Sequence, residues 1–209
     1  MKKKVYVFDF DGTLTTRDTL LEFIKYGKGR QAFLLGFLLY APLLVLMKLG
    51  LYPNGKAKQR IFAHFFKGMS VDDFNTLCQR FADDNRSRLL RPKGEETLRQ
   101  ALKNGAMVLI VSASIDHWVK PFFSCYEMRS MPSAEHGIHI LGTQLETSNG
   151  KLTGRFSTSN CYGREKVRRI ENALPGSREE YEIIAFGDSR GDKEMLDFAD
   201  KGYYKPFRR

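Results

Sequence analysis

Val5-Tyr-Val-Phe-Asp-Phe-Asp-Gly-Thr-Leu-Thr15 is the stretch that decides the fold of this 209-residue chain. Residues 4–10 form a β-branched and aromatic run, which predicts a buried strand. Asp11-Gly12-Thr13 then ends it with turn chemistry. Side chains two apart on a strand share a face, so Asp9 and Asp11 address one small volume, and Gly12 lets the chain turn closely around it. Two further apolar runs end in the same manner. Met107–Val111 leads into Ser112-Ala-Ser114, and Ile183–Phe186 leads into Gly187-Asp188-Ser-Arg-Gly-Asp192.

Between these strands the pattern is helical. Leu20, Leu21, Phe23 and Ile24, then Ile61, Phe62, Phe65 and Phe66, then Phe74, Leu77 and Phe81 recur at helical spacing. Pro42, Gly50, Pro53-Asn54-Gly55 and Gly68 divide this block into several short helices. Further helices are predicted over 95–103, 116–123, 163–174 and 193–199, with a final strand near 202–204. Asn149-Gly150 predicts a hairpin between 138–145 and 152–156. Alternating strands and helices give an α/β fold: a Rossmann-like parallel-sheet core with an inserted all-helical cap. The core comprises residues 1–16 and 92–209, and the cap 17–91.

In such sheets ligands bind beyond the carboxyl ends of the strands. Asp9, Asp11, Ser112, Asp188 and Asp192 all fall there, and Lys166 opens the basic helix. Several carboxylates cannot all stay ionised at contact distance without a cation. An oxygen-only donor set with no His or Cys suits a hard ion, Mg²⁺ above zinc or copper. Lys166 and the Ser112 hydroxyl then provide a charge and a donor for an oxyanion. Together these are the parts of a phosphoryl-transfer site with a carboxylate nucleophile.

Asp9-Phe-Asp-Gly-Thr-Leu-Thr15, Ser112 after its strand, Lys166 and Gly187-Asp-Ser-Arg-Gly-Asp192 resemble, in order and spacing, the four motifs of the haloacid dehalogenase superfamily. Within it they are similar to the phosphoserine-phosphatase-like branch (subfamily IB), as is the Gly150-Lys-Leu-Thr-Gly154 hairpin edge. The resemblance implies Mg²⁺-dependent hydrolysis of a phosphomonoester. Asp9 would be the nucleophile and Asp11 the general acid and base. Asp9, the Asp11 carbonyl and Asp188 would be metal ligands. Gly12, Ser112 and Lys166 would hold the phosphate, with Asp192 orienting Lys166 or metal-bound water. An acid at position 11 favours a phosphatase over a dehalogenase or an ion pump, and leaves a phosphomutase open. Phosphoserine phosphatases of that branch grip serine with an acid and a cap Arg; the resemblance puts Asp18 and Arg60 at those positions, with phosphoserine or another small metabolite as the alternative substrate.

Composition bears on that substrate. The net charge is +10, and residues 17–104 hold 16 Lys and Arg against eight Asp and Glu. Such a face attracts phosphorylated metabolites, nucleic acid or acidic lipid, or is simply solvated. No nucleic-acid-binding motif accompanies it, so nucleic acid is not expected as a partner. Residues 32–47 contain no charge, and the apolar window extends to 52. One crossing of a bilayer there would separate Asp9 from Ser112, Lys166 and Asp188, which a single site forbids. Three options remain: a helix pair folded at Pro42, a helix in the membrane interface, or a cap packed on its own core. A basic apolar cap of this kind resembles that of bacterial phosphatidylglycerophosphate phosphatases. The expected partner is therefore a phospholipid headgroup or a small phosphorylated substrate, with peripheral membrane contact through 32–52. A binding-only module for lipid or another anion is the non-enzymatic alternative.

Met1-Lys-Lys-Lys runs directly into the first strand, which predicts a cytoplasmic protein, at most peripheral at the inner membrane face. Cys78, Cys125 and Cys161 form no disulfide or zinc pattern, and Cys161 is expected to be a packing thiol. His64, His117, His136 and His139 show no ligand spacing, and Trp118 is expected in the core.

Overall fold

The computed structural model describes residues 2–127 and 137–208, so His136 lies outside the described residues. The strands are β1 (Lys3–Phe8), β2 (Met107–Ile115), β3 (Gly137–Thr143), β4 (Leu145–Ser148), β5 (Lys151–Phe156), β6 (Tyr181–Gly187) and β7 (Lys201–Tyr204). The helices are α1 (Thr19–Lys48), α2 (Asn54–Phe66), α3 (Val71–Leu89), α4 (Pro92–Lys103), α5 (Asp116–Val119), α6 (Ser124–Glu127), α7 (Arg164–Ala173) and α8 (Lys193–Phe198).

Five strands form one sheet in the order β3-β2-β1-β6-β7. Every pairing is parallel, with Val5 opposite both Met107 and Ile183. A parallel sheet is covered on both faces, which is why its strands read as continuous apolar runs. Val5 and Val7 point to one layer with Ile170 of α7 and Met195 of α8. Tyr6 and Phe8 point to the other, whose core continues into Trp118, Phe122 and the rings of α1–α3. The fold is thus the expected α/β arrangement.

Three details differ from the sequence reading. Strand β2 does not stop at Val111 but runs on through Ser112 to Ile115, with a register shift against β3 after Val111. The predicted 138–145 strand is two elements. Its first part pairs with β2 as a sheet edge, and only β4 joins β5 around Asn149-Gly150. The first part is a sheet strand rather than a hairpin arm because it pairs in parallel along β2, from Met107 to Ile115, before the chain turns.

The third difference is in α1. The chain keeps helical form through Pro42 and breaks instead at Gly29, where φ is 80° and ψ 163°. Only glycine takes that conformation at little cost. Around Pro42 no residue favours a positive φ, so the helix continues until Gly50, where φ is 77°. No helix pair folds at Pro42. The first arm of α1 buries Leu20, Phe23 and Ile24, and Phe23 stacks on Trp118 at 4.9 Å. The second arm buries Phe33 and Gly36 and turns Leu35 (70% exposed) and Leu38 (74% exposed) to the outside.

Helices α1–α3 leave and rejoin the sheet side by side. Thr15 bridges Leu90, and the Arg91 N–H donates to the Leu14 carbonyl at 2.8 Å. The β4–β5 hairpin reaches across to them: the Leu152 N–H donates to Met69 O at 2.9 Å and the Phe156 N–H to Gln59 Oε1 at 2.9 Å. The helical block is held at two places, and a cavity lies beneath it.

Candidate active site

Asp9 is the residue after β1, still tied to the sheet by its N–H donating to the Phe186 carbonyl at 2.9 Å. Phe10–Leu14 form one tight irregular turn in which Gly12 adopts φ 78°. A Cβ at Gly12 would lie 2.6 Å from Asp188 Oδ2, so both the conformation and the close approach require glycine. Asp188 and Asp192 follow β6, where Gly187 ends the strand. Lys166 arrives from the first turn of α7.

These residues meet. The Lys166 ammonium donates to Asp9 Oδ1 and Asp192 Oδ1, both at 2.6 Å, and to the Val111 carbonyl at 2.8 Å. Asp192 is oriented in turn, its Oδ2 accepting from the N–H groups of Asp188 and Ser189 and from the Ser189 hydroxyl. Carboxylate oxygens of Asp9, Asp188 and Asp192 lie within 4.8 Å of one another. The Arg208 guanidinium donates to Asp188.

The electrostatics follow from burial. Loss of water pushes Asp9 up to about 7, with Asp192 and Asp11 adding to the effect and Lys166 opposing it. Burial alone would lower Lys166, but Asp9 and Asp192 outweigh it and keep the ammonium charged. Burial also opposes ionisation of Asp192, yet Lys166 and Ser189 hold its carboxyl below the usual range. The three carboxylates of the cluster still outnumber its two cations, Lys166 and Arg208. Its donors are all oxygen and one edge of Asp9 has no partner among the described residues, so it fits a hard divalent cation. Asp9 and Asp188 are the residues placed to hold it: both Asp192 oxygens are taken by Lys166 and the Ser189 turn, whereas among the described residues Asp188 is paired only with the half-exposed Arg208 side chain and a long contact from the Thr13 hydroxyl.

Asp11 is held differently. It accepts from the Thr19 N–H (2.7 Å), the Thr19 hydroxyl (2.6 Å) and the Ser114 hydroxyl (2.5 Å). The Trp118 indole N–H donates to that same Thr19 hydroxyl at 3.2 Å, so a core residue also orders the site. These three donors fix the Asp11 carboxylate in place beside Asp9, and none of them is a cation.

Ser112 is buried, its hydroxyl oxygen accepting from the Ser114 N–H at 3.0 Å, and it is Ala113 that lines the cavity at this point. Asp18 caps α1 through the N–H groups of Leu20 and Leu21 and lines the cavity. Burial and the Asp11 charge push its carboxyl up, against the pull of Lys58. Arg60 lies outside, exposed and stacked over the Tyr52 ring at 5.4 Å. On a helix, positions two apart point to different sides, and Lys58 faces inward instead, donating to the Ala113 carbonyl at 3.0 Å. The sequence reading did not single out Lys58, Thr19 or Ser114. The available signals were that Lys58 precedes Arg60 by half a turn, and that Ser114 sits two residues beyond Ser112. The minor expectations stand in the core: Cys161 is buried, its thiol pushed up to about 11 by burial, and Trp118 is buried.

The haloacid dehalogenase-like hydrolase model matches residues 6–197, the span that contains every residue of this cluster except Arg208. The chain belongs to that family. It is 34% identical over 204 residues to Protein CicA of Caulobacter vibrioides, covering 96% of this chain and 85% of the relative. Among solved structures, a protein of Bordetella pertussis Tohama I superposes with a TM-score of 0.75 at 18% identity, over 94% of this chain and 87% of that one. A substrate-bound phosphoserine phosphatase superposes at 0.61 and 18% identity, over 98% and 85%. The chain is therefore a hydrolase of this family and has the fold of its phosphatases.

Proposed function

We propose that the protein is a Mg²⁺-dependent phosphomonoester hydrolase that acts through an aspartyl-phosphate on Asp9, with a lipid headgroup phosphate such as that of phosphatidylglycerophosphate as substrate. The observation that carries the chemistry is Lys166, which holds one Asp9 oxygen and leaves the other free to attack phosphorus. Bound beside Asp9 and Asp188, the ion supplies charge neutralisation around the phosphoryl oxygens. Asp11 gives its proton to the departing alkoxide, then takes one from the water that cleaves the aspartyl-phosphate. Lys166 faces the developing oxyanion charge, and Ser112 orders the Ser114 backbone beside it. In this reading residues 17–91 are a cap over a core of 1–16 and 92–209.

The substrate rests on α1. It is long and apolar enough to cross a membrane by length and composition, yet most of its apolar window lies unburied at the surface. Leu34, Leu35, Leu38 and Leu39 form an exposed strip, with exposed Arg30 before it and Lys48 after it on the same helix. An apolar strip rimmed by cations suits the interface of an anionic bilayer, with the helix lying in its plane. The protein then works as a peripheral enzyme on the cytoplasmic face. A second reading has its own support. The Asp18 carboxylate and Lys58 ammonium line the same cavity and complement a zwitterion, which favours phosphoserine or another small metabolite.

The test is phosphate release from an aryl phosphate, phosphoserine, sugar phosphates and micellar phosphatidylglycerophosphate, with and without Mg²⁺. Release that needs Mg²⁺ and is lost in Asp9→Asn is the expected result, with the lipid preferred. Preference for phosphoserine selects the second reading, and release unaffected by Asp9→Asn overturns the nucleophile.

A further inference from the structure

The cavity that ends on Asp9 and Asp188 has a volume of about 580 Å³ and extends well beyond them, between the second arm of α1 and α2. Its far limb is walled by Phe33, Phe37, Tyr40, Leu44 and Phe65. Asp18 and Lys58 belong to the polar end, beside Asp11 and Ala113. A phosphate group with its counter-charges occupies only that end. Ligand sites of this size are mostly apolar with a few convergent polar groups, and here the aromatic and aliphatic lining of the limb comes from α1 and α2 while Asp9, Asp188 and Asp192 come from the strand ends.

We propose that the apolar limb is a subsite for a hydrocarbon chain carried by the substrate. This rests on the phosphatase reading and specifies what the phosphate is attached to. The occupant is an alkyl or acyl chain rather than a peptide or a sugar, because Phe33, Phe37, Leu44 and Phe65 offer no polar side-chain atom and a row of hydroxyl or amide groups would meet only the Tyr40 hydroxyl. The limb is also continuous with the unpartnered strip: Phe37 lines it while remaining 40% exposed, and Leu34 and Leu38 are its neighbours on the outer face. A chain leaving a bilayer under α1 can therefore enter the limb without crossing water. Gly36 is the pinch point. A Cβ there would lie 2.3 Å from Phe65 Cζ, and both residues line the cavity, so a larger side chain at position 36 fills the limb or displaces the ring.

The experiment uses n-alkyl phosphates from ethyl to decyl, each below its micelle concentration and with no vesicle present. The reacting group is constant and only the chain grows. In wild type kcat/KM should rise by about twofold or more per methylene over the middle of the series, below the roughly fourfold that full burial of a CH₂ gives. Gly36→Leu should flatten the series, and Leu44→Trp serves as a second filled variant where Gly36→Leu does not fold. Wild-type rates independent of chain length, or a slope preserved in folded filled variants, overturn the subsite. Calorimetric binding of octyl phosphate against inorganic phosphate by Asp9→Asn decides the matter without turnover. Chain-dependent affinity lost on filling the limb sustains the subsite even if no ester is hydrolysed, whereas equal affinity for both ligands refutes it. Hydrolysis of ethyl phosphate without any chain dependence would sink the subsite alone and leave the phosphatase standing.

Discussion

The two arms of α1, on either side of Gly29, both carry Leu and Phe at helical spacing and reach opposite outcomes. The first arm spends its Leu, Phe and Ile side chains inward, against Trp118 and the rings of α2 and α3. The second arm buries Phe33 and Gly36, turns Leu44 to the cavity and leaves Leu34, Leu35, Leu38, Leu39 and Leu46 outside. The first arm is part of the catalytic frame, because Thr19 at its start holds Asp11 and Trp118 holds Thr19. The second touches the site only through the cavity wall. Apolar composition alone therefore does not distinguish a core helix from a docking helix, and the neighbours in space decide it.

That comparison breaks first at the catalytic end. Asp9→Asn should lower turnover by at least about 10⁴-fold, as loss of a nucleophile does, and Asp11→Asn by at least about 100-fold. Circular dichroism should leave both variants folded. If the first arm matters through Thr19, then Thr19→Val should mimic a weaker Asp11→Asn, and a Thr19→Val enzyme with wild-type kcat would detach α1 from the chemistry.

The next effect is on stability. Lys166→Met removes the cation from two buried carboxylates, Asp9 and Asp192, and leaves Asp192 without its ion pair. Breaking such a buried pair costs about 3–5 kcal/mol. Urea unfolding in Mg²⁺-free buffer measures it, and a loss below about 1 kcal/mol, a surface-pair value, would mean that the cluster is wetter than its geometry suggests.

A pH dependence follows from Asp9. With its carboxyl at 3.8 when unfolded and about 7 when folded, the native state binds more protons between those values. The Asp9 contribution to stability therefore falls as pH rises through that window in metal-free protein. Asp192, held below its usual range, works the other way: its contribution is present above 3.8 and is lost as pH falls below that. Mg²⁺ should abolish the decline, and Asp9→Asn should remove it. A decline of equal slope in Asp9→Asn would assign it to another group.

Much of this site was legible because its chemistry is local. Asp9, Gly12, Asp188 and Asp192 sit in short segments at strand ends, and parallel strands bring their carboxyl ends to one edge of the sheet. Lys166 was legible as a cation at a helix start, although its two carboxylate partners are 157 and 26 residues away. The helical block was harder to read. Facing depends on helix phase, and a phase error of two residues separates the exposed Arg60 from the inward Lys58. Pro42 misled because a proline removes one hydrogen bond without supplying the positive φ that a reversal needs, whereas Gly29 supplies it.

The smallest effect on stability tests the second arm directly. Leu35→Glu with Leu38→Glu changes two side chains that are 70% and 74% exposed and lie outside the cavity. Surface changes of this sort alter stability by about 0.5 kcal/mol or less. If the arm packed against another part of the chain, the same pair of charges would cost several times that, and thermal unfolding would report it. Sedimentation with anionic vesicles reads the other half. Two glutamates placed where the apolar strip meets acidic headgroups lose both burial and charge attraction, so binding should fall by about tenfold or more. Unchanged stability together with lost vesicle binding is the signature of a helix whose partner is the bilayer. Unchanged binding would return the strip to solvent and leave the separation of the two arms without a function.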